Sequence, residues 1–131
     1  MAVRPSIGRL SIPEAEALLS GLVAVNRLQI AQGAVPSGSA FSAALHAGQL
    51  RYIRRDPDEH WMTLREVWAA GGGDCEDLAA GFAAELQAQG HPHARVVLFQ
   101  AKPGLWHAVT EIAPGLPWRD PSRTGGMRGP G

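Results

Sequence analysis

The stretch Gly71-Gly72-Gly73-Asp74-Cys75-Glu76-Asp77 places the only cysteine of the chain between a glycine-rich loop and an alanine-rich helical pattern. Asp74 is a typical N-cap residue and Asp77 follows three positions later, so both carboxylates can bind free N–H groups of the first helical turn. We interpret both as structural capping groups rather than as catalytic acids. Cys75 then occupies the first helical position, where the helix dipole favours a thiolate and lowers the thiol pKa. The sequence therefore predicts a nucleophilic cysteine, with the glycines leaving room for a substrate backbone.

The residues that follow predict a long helix and then a small sheet. Apolar residues recur at helical spacing over residues 75–89, and Gly90 is a natural C-cap. Beyond Pro92 the pattern changes to short β-branched and aromatic runs separated by Pro-Gly turns. Three strands are predicted, at residues 95–100, 105–112 and 116–120. Packed as an antiparallel meander against the helix, they would form an α+β fold.

The N-terminal part of the chain predicts supporting helices. Ser11 and Glu14 match a capping box in front of a periodic segment, which indicates a helix over residues 12–32. Thr63 and Glu66 match a second capping box, and a short helix is expected from there to residue 69 or 70. A shorter helix is expected near residues 42–47. We divide the chain into an N-terminal helix and linker (1–40), a core (41–121) and a flexible tail (122–131).

Composition narrows the class of protein. The chain has 131 residues, 45% of them hydrophobic, which suits one compact domain. Twelve Lys and Arg residues balance twelve Asp and Glu residues, so no net charge favours nucleic acid or an anionic membrane as a partner. The N-terminus does not resemble a secretory signal, and no apolar run approaches the roughly 20 residues of a membrane span. We expect a cytoplasmic protein, or a virion-associated one if it is encoded by a phage.

Three side chains of the predicted core can converge at one edge of the sheet. They are Cys75 at the helix start, His107 on the second strand and Asp120 at the end of the third. In acyl transfer Cys75 would attack a carbonyl, His107 would accept and return the proton, and Asp120 would fix the imidazole tautomer. No cofactor is needed for this chemistry. Trp61 and Trp68 are candidates to add an indole N–H to the backbone N–H of Cys75 as oxyanion donors.

The same residues carry a family resemblance. Gly73-Asp74-Cys75-Glu76-Asp77, His107-Ala108-Val109-Thr110-Glu111 and Trp118-Arg119-Asp120-Pro121, in this order, resemble the transglutaminase-like cysteine peptidase superfamily, most of all its short bacterial and phage-encoded members. The resemblance covers residues 52–122, with Leu64 where such proteins often carry proline. It implies a papain-like core with the three residues named above as catalytic triad. The implied activity is that of a hydrolase of the thiol protease type, acting on a peptide or protein substrate.

Other interpretations remain open at this level. Transamidation would use the same triad, with an amine in place of water. A non-catalytic assembly or binding module could keep the fold, for instance alongside phage structural proteins. A lone cysteine among alanines is also typical of a small buried side chain, and Asp120 before Pro121 is typical of a turn. His91-Pro92-His93 could bind a metal, but polar residues are common at such a turn, so we expect no metal site.

Overall fold

The computed structural model describes residues 10–54, 60–103 and 105–128. Within these residues the fold is mixed α+β, with five helices and small sheets of two strands each, so the predicted α+β class is confirmed. The elements in chain order are α1 (Ile12–Ala31), α2 (Ala40–Ala47), β1 (Arg51–Tyr52), α3 (Leu64–Ala70), β2 (Gly72–Gly73), α4 (Cys75–Ala88), β3 (Arg95–Lys102), β4 (Leu105–Glu111) and α5 (Pro121–Thr124).

Helix α4 lies in the middle of the core because its small side chains allow neighbours to approach closely. Its alanines are almost all fully buried, and Gly81 is so tightly packed that a Cβ there would lie 2.8 Å from the ring of Phe41. On the opposite side, Thr110 in β4 donates a hydrogen bond from Oγ1 to the carbonyl of Ala79 at 2.9 Å. The predicted central helix packed on an antiparallel hairpin is therefore present.

The predicted third strand is not formed. Strands β3 and β4 pair antiparallel along their length, from Arg95 opposite Glu111 to Lys102 opposite Leu105. Residues 116–120 contribute one isolated bridge, between Thr110 and Arg119. Pro117 lies in this segment and has no N–H to give to a ladder, which explains why pairing does not extend.

Helix α1 belongs to the same core as the rest of the chain. It begins at the predicted Ser11–Glu14 capping box and buries Ala15, Leu19 and Val23. Two of its polar side chains cross to other elements. Asn26 accepts a hydrogen bond from the N–H of Leu64 at 2.8 Å, and Glu16 accepts one from the N–H of Leu98 at 2.9 Å. Helix α1 therefore packs on the core that follows it, as expected for a single domain.

The glycine loop is part of a strand pair rather than an open approach to the cysteine. Gly72 and Gly73 pair in parallel with Arg51 and Tyr52, and both glycines are buried. A Cβ on Gly72 would lie 1.9 Å from the carbonyl oxygen of Arg51. The space beside Gly72 is filled by β1 and that beside Gly73 by the side chain of Asp77, so the expectation that these two glycines admit a substrate backbone is wrong.

Residues 122–128 differ from the flexible tail expected from Ser122 onward. Helix α5 buries Ser122, and Met127 is buried after it. The carbonyl of Gly125 accepts a hydrogen bond from the N–H of Tyr52 at 2.9 Å, which ties this segment to β1. Residues 129–131 lie outside the described residues.

None of the helices described is both long and apolar enough to cross a membrane.

Candidate active site

The start of α4 is fixed by two carboxylates. Asp74 is the N-cap and accepts from the N–H of Asp77 at 3.1 Å, while Asp77 accepts from the N–H of Asp74 at 3.1 Å. The second oxygen of Asp77 accepts from the N–H of Met62 at 2.6 Å. Asp77 is fully buried, so these bonds satisfy both of its oxygens and hold the chain before α3 against the helix start. This is the geometry of a capping box, with no side chain left over for proton transfer.

Cys75 is the first residue of α4 and is nearly buried, with 7% of its surface exposed. Its Sγ donates a hydrogen bond to Oε2 of Glu76 at 3.3 Å. The backbone N–H of Ala108, in β4, also binds the sulfur. The sulfur of Cys75 therefore lies against the residue that follows His107.

The expected lowering of the Cys75 pKa is wrong for this conformation. Burial raises the pKa of the thiol, and the carboxylates of Glu76 and Asp74 raise it further. The bond from Ala108 acts in the opposite direction but is outweighed. A dipole effect of the first helical turn is on the order of 1 kcal/mol, too small to offset desolvation together with two adjacent negative charges. Burial and the neighbouring carboxylates thus favour the neutral thiol in this conformation.

His107 and Asp120 are in direct contact. Nε2 of His107 lies 2.7 Å from Oδ2 of Asp120, and only 3% of the histidine is exposed. Because a carboxylate accepts at Nε2, that nitrogen carries the hydrogen of a neutral imidazole, and Nδ1 is left as the acceptor. Nδ1 is buried and has no hydrogen-bond partner within the described residues. The geometry therefore holds His107 with a basic nitrogen that is free to receive a proton.

Asp120 is itself fixed by α5. It is the N-cap of that helix and accepts from the N–H of Arg123 at 3.4 Å. The Arg123 Nε atom is 3.6 Å from Oδ2 of the same carboxylate. The short helix that replaces the expected tail thus positions the residue that orients His107.

Two aromatic rings cover the histidine. Phe99, opposite His107 in the hairpin, meets it edge-on, with 5.6 Å between ring centroids. Trp118 stacks on Phe99 at 5.3 Å, with an angle of 19° between the rings. Trp118 itself is half exposed, whereas His107 is nearly buried. An apolar cover strengthens the hydrogen bond between His107 and Asp120, because water competes less for it.

The structure thus joins two of the three predicted residues directly and brings the third beside them. His107 contacts Asp120, whereas the side-chain partner of Cys75 is Glu76. Contact between Cys75 and the His107 strand is made through the backbone of Ala108. In this conformation Sγ of Cys75 therefore forms no hydrogen bond with either ring nitrogen of His107.

The predicted oxyanion donors lie on either side of the α3 start. Trp68, within α3, has its Nε1 buried and without a hydrogen-bond partner in the part of the chain described. Trp61 is half-buried. It precedes Met62, whose backbone N–H donates a hydrogen bond to Asp77. The backbone N–H of Cys75, at the first helical position, has no partner within the helix. Trp68 therefore remains a candidate with a free donor.

Two residues at the site were not singled out from the sequence. Glu76 directly follows Cys75 in the sequence. The capping pattern that drew attention to this stretch consists of Asp74 and Asp77 and does not include Glu76. Tyr52 lies opposite Gly73 in β1, and its pKa is raised by burial and then by electrostatic interaction with Cys75 and Asp74. A two-residue strand has no periodicity from which its pairing could be read, so Tyr52 had no sequence signal. Glu76 could have been found from its adjacency to the thiol.

Acidic groups crowd the helix start. Burial and then the Asp74 carboxylate raise the pKa of Glu76 to about 8 and that of Asp77 to about 9. No group of three or more His, Cys, Asp or Glu residues in the described chain is arranged to hold a metal ion. His91 and His93 are exposed in the turn between α4 and β3.

Comparisons with known proteins add no family to this geometry. No protein-family model, curated protein or solved structure matches the chain.

Proposed function

We propose that this chain is a cysteine-dependent acyl-transfer enzyme with a papain-like core, which cleaves amide bonds in a peptide or protein through a thioester on Cys75. One observation carries the proposal. His107 is bound at Nε2 by Asp120 at 2.7 Å, has an unpartnered Nδ1, and directly precedes the residue whose N–H binds the Cys75 sulfur. A structural histidine would be expected to use both ring nitrogens when buried.

The proposed reaction begins when Sγ leaves Glu76 and faces Nδ1 of His107. Nδ1 takes the thiol proton as the sulfur attacks the carbonyl carbon, and the carbonyl oxygen becomes an oxyanion. The backbone N–H of Cys75, with the indole of Trp68 as the candidate second donor, would stabilise that charge. His107 then gives its proton to the leaving amine, and a thioester remains on Cys75. Asp120 keeps the hydrogen on Nε2 throughout and stabilises the imidazolium.

Water or an amine can resolve the thioester with the same residues. Water gives hydrolysis, which makes the chain a peptidase or amidase. A primary amine gives a new amide bond, as in transamidation. The acyl-enzyme is common to both outcomes, so the proposal is stated at the level of acyl transfer.

A non-catalytic binding module is the second candidate function, and the burial of Cys75 favours it. The thiol is 7% exposed and its pKa is raised by burial, as in a structural cysteine. This candidate leaves the free Nδ1 of His107 without a purpose, and for that reason we rank it below acyl transfer.

Alkylation of Cys75 by iodoacetamide against pH separates the two candidates. Wild type is compared with His107→Ala, and circular dichroism checks that both are folded. If His107 is the base, its removal should slow alkylation at neutral pH and remove the histidine-dependent part of the pH profile. His93→Ala, which removes an exposed histidine, should leave the profile unchanged. Identical profiles for wild type and His107→Ala would contradict the proposed function.

A further inference from the structure

Glu76 occupies a position that the proposed reaction does not use. Its Oε2 accepts the Cys75 S–H at 3.3 Å, although Nδ1 of His107 is free. The thiol has one proton, and a proton given to a carboxylate cannot at the same time be given to an imidazole. The described conformation therefore has the nucleophile bound to the wrong acceptor for catalysis.

The charge of Glu76 also opposes ionisation of the sulfur. A carboxylate in hydrogen-bond contact with a thiol repels the thiolate that would form, and partial burial strengthens this repulsion. Among the causes that raise the Cys75 pKa, Glu76 comes second only to burial. Breaking the contact therefore changes both the direction of the S–H group and the ease of losing its proton.

Other titratable groups surround this pair. They are Asp74 and Asp77 from the same helical turn, Tyr52 with its neighbour Arg54 from the β1 side, and His107 with Asp120 from the β4 side. All of these side chains remain in place when Glu76 alone is replaced, so a difference in the reactivity of Cys75 originates in the lost Glu76 charge, directly or through the groups that interact with it.

We propose that Glu76 holds the Cys75 proton at rest and keeps the thiol unreactive until the sulfur turns away from it. The inference rests on the proposed function in taking Cys75 as the nucleophile. It gives Glu76 the role of a positioning residue, which acts on the orientation and charge state of Sγ. No atom is exchanged at this step: the S–H···Oε2 hydrogen bond breaks, and the proton stays on sulfur until His107 accepts it.

Glu76→Gln is the direct test, because the amide keeps an acceptor oxygen of the same size and loses only the charge. Alkylation of Cys75 by iodoacetamide is measured against pH in wild type and Glu76→Gln, and again with His107→Ala present in both. Glu66→Gln is the matched control, since it removes a half-buried carboxylate bound to His60 and Thr63. This control should follow the wild-type profile.

We expect Glu76→Gln to move the midpoint of alkylation to lower pH by about one unit. Above about pH 8, where Glu76 is ionised in the wild type, the rate should rise about three- to tenfold, because a larger thiolate fraction outweighs the lower nucleophilicity of a more acidic thiol. The rise should appear in both backgrounds. Equal rates with and without Glu76→Gln in either background would overturn the inference.

The two proteins that carry His107→Ala, with and without Glu76→Gln, keep this result separate from the proposed function. Comparing His107→Ala with the double variant isolates Glu76 whether or not His107 is a base. Loss of the proposed function would appear as identical profiles for wild type and His107→Ala, which leaves the effect of Glu76 measurable.

A measurement on the unmodified protein guards against a variant that fails to fold. The ultraviolet absorbance of a thiolate is followed in wild type from acid to alkaline pH, with Cys75→Ser as the blank. A midpoint of the thiolate absorbance well above about pH 8.5, the value of a free cysteine, supports the inference. Thiolate absorbance at neutral pH would overturn it.

Discussion

Asp120 binds His107 at 2.7 Å and caps helix α5 with the same side chain. One carboxylate thus connects the candidate base to a helix that follows it in the chain. Because the N-cap fixes the position of Asp120, the tautomer and orientation of the imidazole are set by α5 as well as by the hairpin.

Asp120→Asn should separate these two roles. Asparagine is as good an N-cap as aspartate, so the free energy of unfolding should change by less than about 1 kcal/mol. The amide cannot stabilise the imidazolium, and acyl transfer should fall by about a hundredfold to ten-thousandfold. Glu111→Gln is the control. It removes a carboxylate of the same hairpin, which binds Arg95, and the variant should retain activity. Wild-type turnover in Asp120→Asn would mean that Asp120 only caps the helix.

Asp77→Asn should weaken the fold and lower activity only through the loss of folded protein. Both oxygens of Asp77 accept backbone N–H groups, from Met62 and Asp74, and asparagine offers a single acceptor oxygen. Leaving one buried N–H unpaired should cost about 1–3 kcal/mol, measured by chemical denaturation. Glu14→Gln, at the equivalent position of the exposed α1 capping box, should change stability by less than about 0.5 kcal/mol. An Asp77→Asn protein of full stability with no turnover would assign Asp77 to catalysis.

Stability should fall as the solution becomes alkaline. Burial and the Asp74 carboxylate raise the pKa of Glu76 and Asp77 in the folded protein to about 8 and about 9. In the unfolded chain these carboxyl groups have pKa values of about 4. At pH values between about 4 and the raised values, the folded state therefore holds protons that the unfolded chain has released. The free energy of unfolding contributed by these groups is therefore present at acid pH and lost as pH rises through this window. Denaturation at about pH 5 and about pH 9 measures the slope.

Asp74→Asn provides the control for that slope. It keeps an N-cap oxygen for the N–H of Asp77 and removes the charge that raises both pKa values. The variant should lose less stability than wild type between the two pH values. A slope as steep as that of wild type would show that Asp74 is not a source of the shift.

Helix α1 should prove necessary for the site, because a buried hydrogen bond ties it to α3. Asn26 is fully buried and accepts from the N–H of Leu64, so Asn26→Ala should lower the free energy of unfolding by about 1–3 kcal/mol. Gln29→Ala removes the same kind of bond to the N–H of Arg65 at an exposed position and should cost less than about 0.5 kcal/mol. Equal losses for the two variants would contradict the view that α1 is part of the core.

The sequence was informative where local chemistry decides the structure. The capping boxes at Ser11, Thr63 and Asp74 each start a helix at the predicted residue, because the caps act within one turn. The hairpin was predictable from its β-branched runs. The order Cys75, His107, Asp120 also predicted which residues to examine, and the contact between the last two is present.

Features set by distant contacts were not predictable. The pairing of Gly72 with Arg51 involves strands of two residues, too short for any pattern, and it closed the space expected for a substrate. The bond between Gly125 and Tyr52 holds a segment whose composition is typical of a mobile tail. The raised pKa of Cys75 depends on burial, which a helix-start pattern does not contain.

Acylation of Cys75 by para-nitrophenyl acetate tests the central claim most directly. Intact mass and peptide mapping after brief exposure identify the acylated residue, and Cys75→Ala and His107→Ala are treated in parallel. The account predicts an acetyl thioester on Cys75 in wild type, none in Cys75→Ala, and much slower formation in His107→Ala. A wild-type protein without acetyl on Cys75, or His107→Ala acylated as fast as wild type, would contradict it.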